Sequence, residues 1–382
     1  MASVEKLEDE EEVEGFEPLL YDPVEWTAWA VAEKKRFRRK EEEKARKREE
    51  NRRRREAHDA VIDSIIEYDP KVDHKVYTRF FLRDFSVFDI DEESSVLPMR
   101  YTDSIYQDEF GLQDSANILS ISIVSSDVGF PVSVYGRVIA RDSIDYNCIY
   151  LFHRNRDDCQ RCWHKIQSYE SYGITSNKRL NQDGVLILTG PSRGLVLVDF
   201  IYLEIDLKIR EDGVFPDKPF SKGLISIDGR VLSREEDVVV SRETLESWLS
   251  TTEVRFTTVL NAVEGTIEIK LVEGSFKGYI TVGVSDKAGN RDIEQAIVIH
   301  DSKEDDVSMS NQDGVIKLRR SAITICLERM LVFHMNNEAA RVSDERTIDF
   351  APRSTGVVEE EISCGAGTFG FRVVWSLLDF RL

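Results

Sequence analysis

From about Val76 onward, short runs rich in Val, Ile, Tyr, Phe and Thr follow one another, punctuated by Gly, Asp, Asn and Pro. This feature limits the fold most. Parallel strands need helix-length crossovers, whereas antiparallel strands need only turns, and no such crossover separates these runs. Candidate strands include ILSISIV (118–124), VSVYGRVIA (132–140), VLILTG (185–190), LVLVDFIYLEIDLKI (195–209), VRFTTVL (254–260) and TIEIKLV (266–272). YITVGVS (279–285), AIVIH (296–300), AITICLERMLVFHM (322–335) and FGFRVVWSLL (369–378) complete the series. LEIDLKI alternates apolar and charged residues, as a strand with one buried face does. The expectation is a mainly β domain over residues 75–382, an antiparallel β-sandwich built as one large unit or two tandem related units. SRETLESWL (241–249) reads as a short helix between halves.

The pentapeptide NQDGV occurs at Asn181–Val185 and again at Asn311–Val315. Asn, Asp and Gly are ordinary turn residues, so the echo alone is weak support for a repeat. Its surroundings match as well. Upstream of each copy lie two strands, the second ending at His153 or His300, and a charged turn closing in Asp157-Asp158 or Asp305-Asp306. Downstream of each lies a hairpin into a long strand. Internal repeats over about 117–210 and 252–335 are therefore expected.

The N-terminal part is different. Residues 1–21 are acidic and poor in apolar side chains, the composition of a disordered tail. Asp22, Pro23 and Glu25 form a helix-start signature, and the chain then runs without Gly or Pro to Asp69-Pro70. A helix over 22–69 would be a rod of about 70 Å. Its middle, Arg38–Glu56, has no apolar side chain larger than Ala45, so it lacks a coiled-coil seam and is held by i,i+4 charge pairs. Val61, Ile62, Ile65 and Ile66 form an apolar patch expected to dock on the β body. Trp26, Trp29 and Phe37 form another, expected to meet a partner together with the basic residues Arg38, Arg39, Arg52, Arg53, Arg54 and Arg55.

Charge restricts the partners. The 382 residues carry a net charge of -20, which disfavours nucleic acid as the main partner of the whole chain. Yet residues 34–55 hold fourteen Lys/Arg against five Glu. That segment reads as a solvated helix face, a nuclear-import signal, or a contact for RNA or acidic partners. No apolar run is long enough to span a bilayer, the N-terminus lacks a secretory pattern, and the five cysteines suit a reducing compartment. A cytoplasmic or nuclear protein without a membrane role is expected.

The stretch Leu97-Pro98-Met99-Arg100-Tyr101-Thr102, ANILSISIVSSDVGFPVSVYGRVIARDSIDY, LILTGPSRGLVLVDFIYLEIDLKI and VVWSLL resembles a grass-expanded plant family known only as a domain of unknown function. The resemblance covers about residues 75–382. A similar domain forms the C-terminal appendage of a jasmonate-induced ribosome-inactivating protein, which implies a stress or defence setting and brings no catalytic residues. The long basic helix is a common companion of the domain.

Several motifs invite chemistry. Glu338-Ala-Ala-Arg341, with Trp375 downstream, is similar to the Glu-Ala-x-Arg of rRNA N-glycosidases, where Glu stabilises an oxocarbenium charge and Arg protonates the departing adenine. Here the motif lies in a polar stretch between strands, without the apolar helix that chemistry needs. Cys159-Gln-Arg-Cys162-Trp-His164 has knuckle spacing but no second ligand pair for a closed zinc site. GPSRG (190–194) lacks the Lys-Ser/Thr ending of a phosphate loop and reads as a hairpin turn. The acidic turns Asp142–Asp145 and Asp305-Asp306 offer oxygen ligands for calcium only if the fold converges them. No catalytic set, cofactor or metal site is assigned. The sequence points to a non-enzymatic module binding an unidentified protein or ribosomal partner. The alternatives are a divergent rRNA N-glycosidase using Glu338 and Arg341, or RNA or acidic-partner binding through the basic helix.

Overall fold

The computed structural model describes residues 23–103, 111–163, 184–211, 216–231, 238–285, 296–303, 314–338 and 344–378. The proposed tail, 1–21, lies outside these residues, as do His164, Asn181–Asp183, Asp305-Asp306, Asn311–Asp313 and Arg341. The chain divides into two compact units, Met1–Ala60 and Val61–Leu382.

In the first unit the described chain is helical. Helix α1 spans Pro23–Ile65, its last turn entering the second unit. It stops short of the expected Tyr68. Ile66–Asp69 instead forms strand β1, paired antiparallel with β2, His74–Tyr77. The reason is local. The Thr78 N–H and hydroxyl both donate to the Ile65 carbonyl, at 2.8 and 3.0 Å. The Asp69 carboxylate folds the turn by accepting from Lys71 N–H at 2.8 Å. Ile65 is buried with Phe85 and Ile90, and Val61 and Ile62 pack beside them.

The rest of the second unit is antiparallel β, as the alternation predicts. Its first half contains β3 (Gln113–Ser126), β4 (Val132–Arg141), β5 (Ile149–Arg154), β6 (Gln160–Cys162), β7 (Leu195–Val196), β8 (Phe200–Ile209), β9 (Lys218–Asp228) and β10 (Val238–Ser247). β11 (Ser250–Gly274) runs for 25 residues, about 80 Å. Beyond it lie β12 (Gly278–Ser285), β13 (Ile297–Asp301), β14 (Ala322–Cys326), β15 (Met330–Asn337), β16 (Asp344–Phe350), β17 (Gly356–Cys364) and β18 (Gly367–Leu377). The segment expected to be a helix, SRETLESWL, lies mainly in β10. Its ladder with β11 runs from Val238 opposite Val259 to Ser247 opposite Ser250, and the gain from continuous pairing outweighs a weak capping signal.

Three sheets form the layers. β11 is common to both halves of a seven-stranded sheet containing β3, β7, β10, β14, β17 and β18. Residues 250–259 of β11 pair with β10 and β3, and residues 262–274 with β14 and β18. The sheet β5-β4-β8-β9 shares one core with the first part, including Ile121, Val134, Leu151, Leu203, Phe220 and Val254. The sheet β13-β12-β15-β16 shares another with the second part, including Val263, Ile280, Phe333, Phe369, Phe371 and Trp375. Each such side chain contributes roughly 1.5–3 kcal/mol by leaving water.

The same pairings occur in both halves. β4 lies between β5 and β8, which pairs with β9; β12 lies between β13 and β15, which pairs with β16. The NQDGV copies end in the same structure. Gly184 and Gly314 both have φ of +74°. Ile123 N–H donates to Gly184 O at 2.8 Å, and Leu271 N–H to Gly314 O at 2.9 Å. The following residues form straps between sheets. In the first half, Leu186 N–H bonds Ile121 O on β3 and Thr189 N–H bonds Leu151 O on β5; in the second, Ile316 bonds Ile269 on β11 and Arg319 bonds Ile299 on β13. VLILTG is therefore a strap rather than the expected ladder strand.

A Cβ at Gly184 or Gly314 would lie 2.6 or 2.7 Å from the Ile123 or Leu271 carbonyl oxygen, on a backbone that L-residues rarely adopt. Gly184→Ala and Gly314→Ala should each lower stability by about 1–3 kcal/mol. Urea unfolding should show reduced midpoints of similar size for the two variants.

Candidate functional site

The helix face proposed for partner contact is exposed. Trp26, Trp29 and Phe37 are 51%, 60% and 63% accessible, and the two indoles lie 5.9 Å apart between centroids. At 100° per residue the three fall within about 80° of arc, one narrow apolar face. Of the basic residues named with them, Arg55 falls on that face and Arg38, Arg39, Arg52, Arg53 and Arg54 fall outside it. Many are matched along the helix: Arg38 to Glu42 at 3.3 Å, Arg52 to Glu49 and Glu56 at 2.7 Å, Arg53 to Glu49 at 3.0 Å and Arg54 to Glu50 at 3.0 Å. Such exposed pairs add little stability and reduce the field available to an anionic partner. No ion pair is formed by Arg39 or Arg55 among the described residues.

In the β body the strongest concentrations of charge are internal. Glu204 on β8 accepts from Arg141 Nε at 2.6 Å, Arg79 Nε at 3.0 Å and Phe80 N–H at 2.9 Å. Both arginines also donate to the Ile90 carbonyl. Burial alone would depress the Arg79 pKa, but Glu204 and Asp91 hold it above the usual value. Beside this clamp Phe80 stacks on Tyr146, with Arg83 over the far ring. Phe80 also packs on Tyr202, which stacks on Phe200 beneath Arg230.

A second buried group pairs Arg193 with both oxygens of Asp142, at 2.5 and 2.9 Å. Arg193 is the arginine of GPSRG. It points inward, so that segment presents a neutralised cation to the interior. Glu264 on β11 accepts from Gly194 N–H at 2.6 Å and Met99 N–H at 2.8 Å, while burial pushes its pKa up. These carboxylates are buried and accept hydrogen bonds from their own chain, and so hold segments together.

An open groove of 200 Å³ lies over β4, β5 and β8, lined by Tyr135, Arg137, His153, Arg154, Arg156 and Lys208. Its cations are largely matched: Arg137 to Asp91 at 3.3 Å, Arg154 to Asp158 at 3.0 Å and Arg156 to Asp217 at 2.6 Å. Hydrogen bonds from Arg156 and Tyr135 hold the Asp217 carboxyl well below the usual range. Glu338 of the Glu-Ala-Ala-Arg motif pairs with Lys303 at 3.1 Å, while residues 339–343 lie outside the described ones. Among the described residues no three His, Cys, Asp or Glu are grouped to hold a metal ion. No described helix is long and apolar enough to cross a membrane.

Sequence reasoning missed Arg319 and Arg320, both buried at the end of the second strap. The available signal was a pair of arginines directly before the apolar run SAITIC. A charged pair between strands ordinarily faces water, so that signal does not mark burial.

Residues 115–373 match the family described as Domain of unknown function (DUF6598). The chain belongs to that family. No curated protein matches. Among solved structures it is similar to human GIVD cytosolic phospholipase A2, at 10% identity and a TM-score of 0.20, over 71% of this chain and 31% of that one. So low a score carries no argument about fold or activity.

Two outcomes test these assignments. Glu204→Ala leaves the buried Arg141 without its carboxylate and the half-buried Arg79 with Asp91 alone, and should cost roughly 3–5 kcal/mol, measured by urea unfolding. Burial pushes the Cys162 thiol up to about 12, with nearby Arg154 opposing. A raised pKa favours the neutral thiol, so at pH 8 the thiolate fraction is about one in ten thousand. Iodoacetamide should label half-buried Cys159 and spare Cys162 until the protein unfolds, as read by peptide mass spectrometry.

Proposed function

We propose that the protein is a non-enzymatic interaction module. In this reading two copies of one β unit, descended from an internal duplication, form the scaffold, and α1 engages a protein or ribosomal partner through Trp26, Trp29 and Phe37. The observation that carries it is the exposure of three large aromatic side chains on one narrow helix face. Apolar area of that kind is unusual in a helix otherwise polar all round, and aromatic residues dominate binding hot spots. The buried carboxylates of the β body support a structural rather than catalytic role, since each is occupied by its own chain.

The resemblance to a grass-expanded plant family, and to the appendage of a jasmonate-induced ribosome-inactivating protein, supports a stress or defence setting for this activity. The five free thiols, four of them buried, suit the cytosol or nucleus. Arg38, Arg39, Arg52, Arg53, Arg54 and Arg55 act in steering the encounter, because their partly matched charges favour rate over tight binding.

The test compares capture by full-length protein and by the Trp26→Ala/Trp29→Ala/Phe37→Ala variant from stressed leaf extract. The expected result is a discrete partner recovered by the parent and reduced at least tenfold by the variant, with unchanged circular dichroism. Identical recoveries would overturn the reading. Capture abolished by ribonuclease and falling steeply with salt would move the assignment to RNA bound by residues 34–55.

A further inference from the structure

We infer that Arg320 anchors a binding site for a small oxyanion carrying a phosphoryl-type group. Arg320 is 8% accessible, and the geometry of its guanidinium is lopsided. Nη1 donates to the Ile118 carbonyl at 2.6 Å. Nε is buried and meets no acceptor. Nη2 makes no hydrogen bond among the described residues. One edge of the fork is thus tied to the backbone of β3, while the Nε–Nη2 edge is unused. That edge grips two oxygens of a carboxylate or phosphate at once.

Two other buried arginines, Arg141 and Arg193, show what this one lacks. Arg141 has Glu204 at 2.6 Å and Arg193 has Asp142 at 2.5 Å. Arg320 forms no ion pair among the described residues, and its sequence neighbour is the buried cation Arg319. Burial, with repulsion from Arg319, pushes the Arg320 pKa down to about 10, which still leaves it charged at neutral pH. An uncompensated buried charge costs several kcal/mol, and an arginine cannot escape by losing its proton. A bound anion offsets that cost with two charge-assisted hydrogen bonds.

The fold itself does not ask for this cation. The hydrogen bond from Arg319 N–H to Ile299 O corresponds to that from Thr189 N–H to Leu151 O. The residues in the Arg319-Arg320 position of the first strap are therefore Thr189-Gly190, which are uncharged. The same strap closes the same kind of sandwich without any arginine. Ile118, whose carbonyl orients the guanidinium, also sits where the β3–β11 register shifts. The site thus has no counterpart on the first strap.

The test uses the full chain and inorganic phosphate, titrated calorimetrically at constant ionic strength. Saturable one-to-one binding is expected, weakened at least tenfold by Arg320→Met and by less in Arg320→Lys, which keeps the charge but loses the fork. A parallel arm with phenyl phosphate separates a free ion from a phosphoryl group on a larger ligand; saturable, Arg320-dependent binding in either arm supports the site. Crystals of the unaltered protein grown in bromide give a reading that does not depend on a variant folding: an anomalous peak is expected beside the Nε–Nη2 edge. Absence of saturable binding in both arms, equal binding by Arg320→Met, or no anomalous peak at the guanidinium would overturn the inference.

Discussion

The structure of the β body depends on the continuity of one strand. β11 is too long to belong to a single sandwich, and it serves two. Its first part closes the ladder that begins with β3, and its second opens the corresponding ladder that ends with β18. The division falls at Asn261, whose φ of +49° marks a local irregularity, held where its N–H donates to Asp114 at 3.0 Å. Because the backbone hydrogen bonds of both halves run along successive parts of the same strand, the two cores are separate in their side chains but joined in one sheet. Asn117 strengthens the join. Its amide accepts from the Thr324 N–H and donates to the Thr324 carbonyl, at 3.0 and 2.7 Å, imitating a backbone neighbour across the gap between β3 and β14.

Buried charge performs the second task of the architecture, fastening irregular chain to regular chain. Residues 61–103 precede the stretch matched by the family, yet they are part of the same unit. Arg79, Phe80 and the Ile90 carbonyl meet Glu204 and Arg141 on the sheet, while Met99 meets Glu264. Hydrophobic contact alone is tolerant of register. A carboxylate that must receive two guanidinium groups and an N–H is not, and it fixes which residue lies where. Specificity of packing is the benefit, at a desolvation cost the surrounding donors offset.

Much of this was legible in the residues. Alternation in LEIDLKI and the absence of crossovers predicted antiparallel β layers, and the run after Pro23, free of Gly and Pro as far as Asp69, predicted the helix. What local pattern could not reveal was which partner a segment would find. SRETLESWL has a helix-like start, but β11 lies alongside it with a full ladder of backbone partners. Ile66–Asp69 follows a long helix, but Thr78 takes the last carbonyl and turns the chain. The aromatic trio was visible because exposure of Trp26, Trp29 and Phe37 follows from the polar residues around them. Arg320 was not, because nothing in two consecutive arginines distinguishes a solvated turn from an interior one. Burial is a property of the fold around a residue.

The free border of the large sheet has its own chemistry. β17 pairs with β18 on one side and is the outermost strand there, and its middle is Glu359-Glu360-Glu361, all exposed. Successive side chains point to opposite faces, so three in a row put negative charge above and below the row of unpaired amides. An incoming strand would have to approach through that charge whichever face it favoured, and carboxylates there also solvate the edge well. Those glutamates therefore disfavour the addition of a further strand at this border of a protein otherwise rich in β-structure.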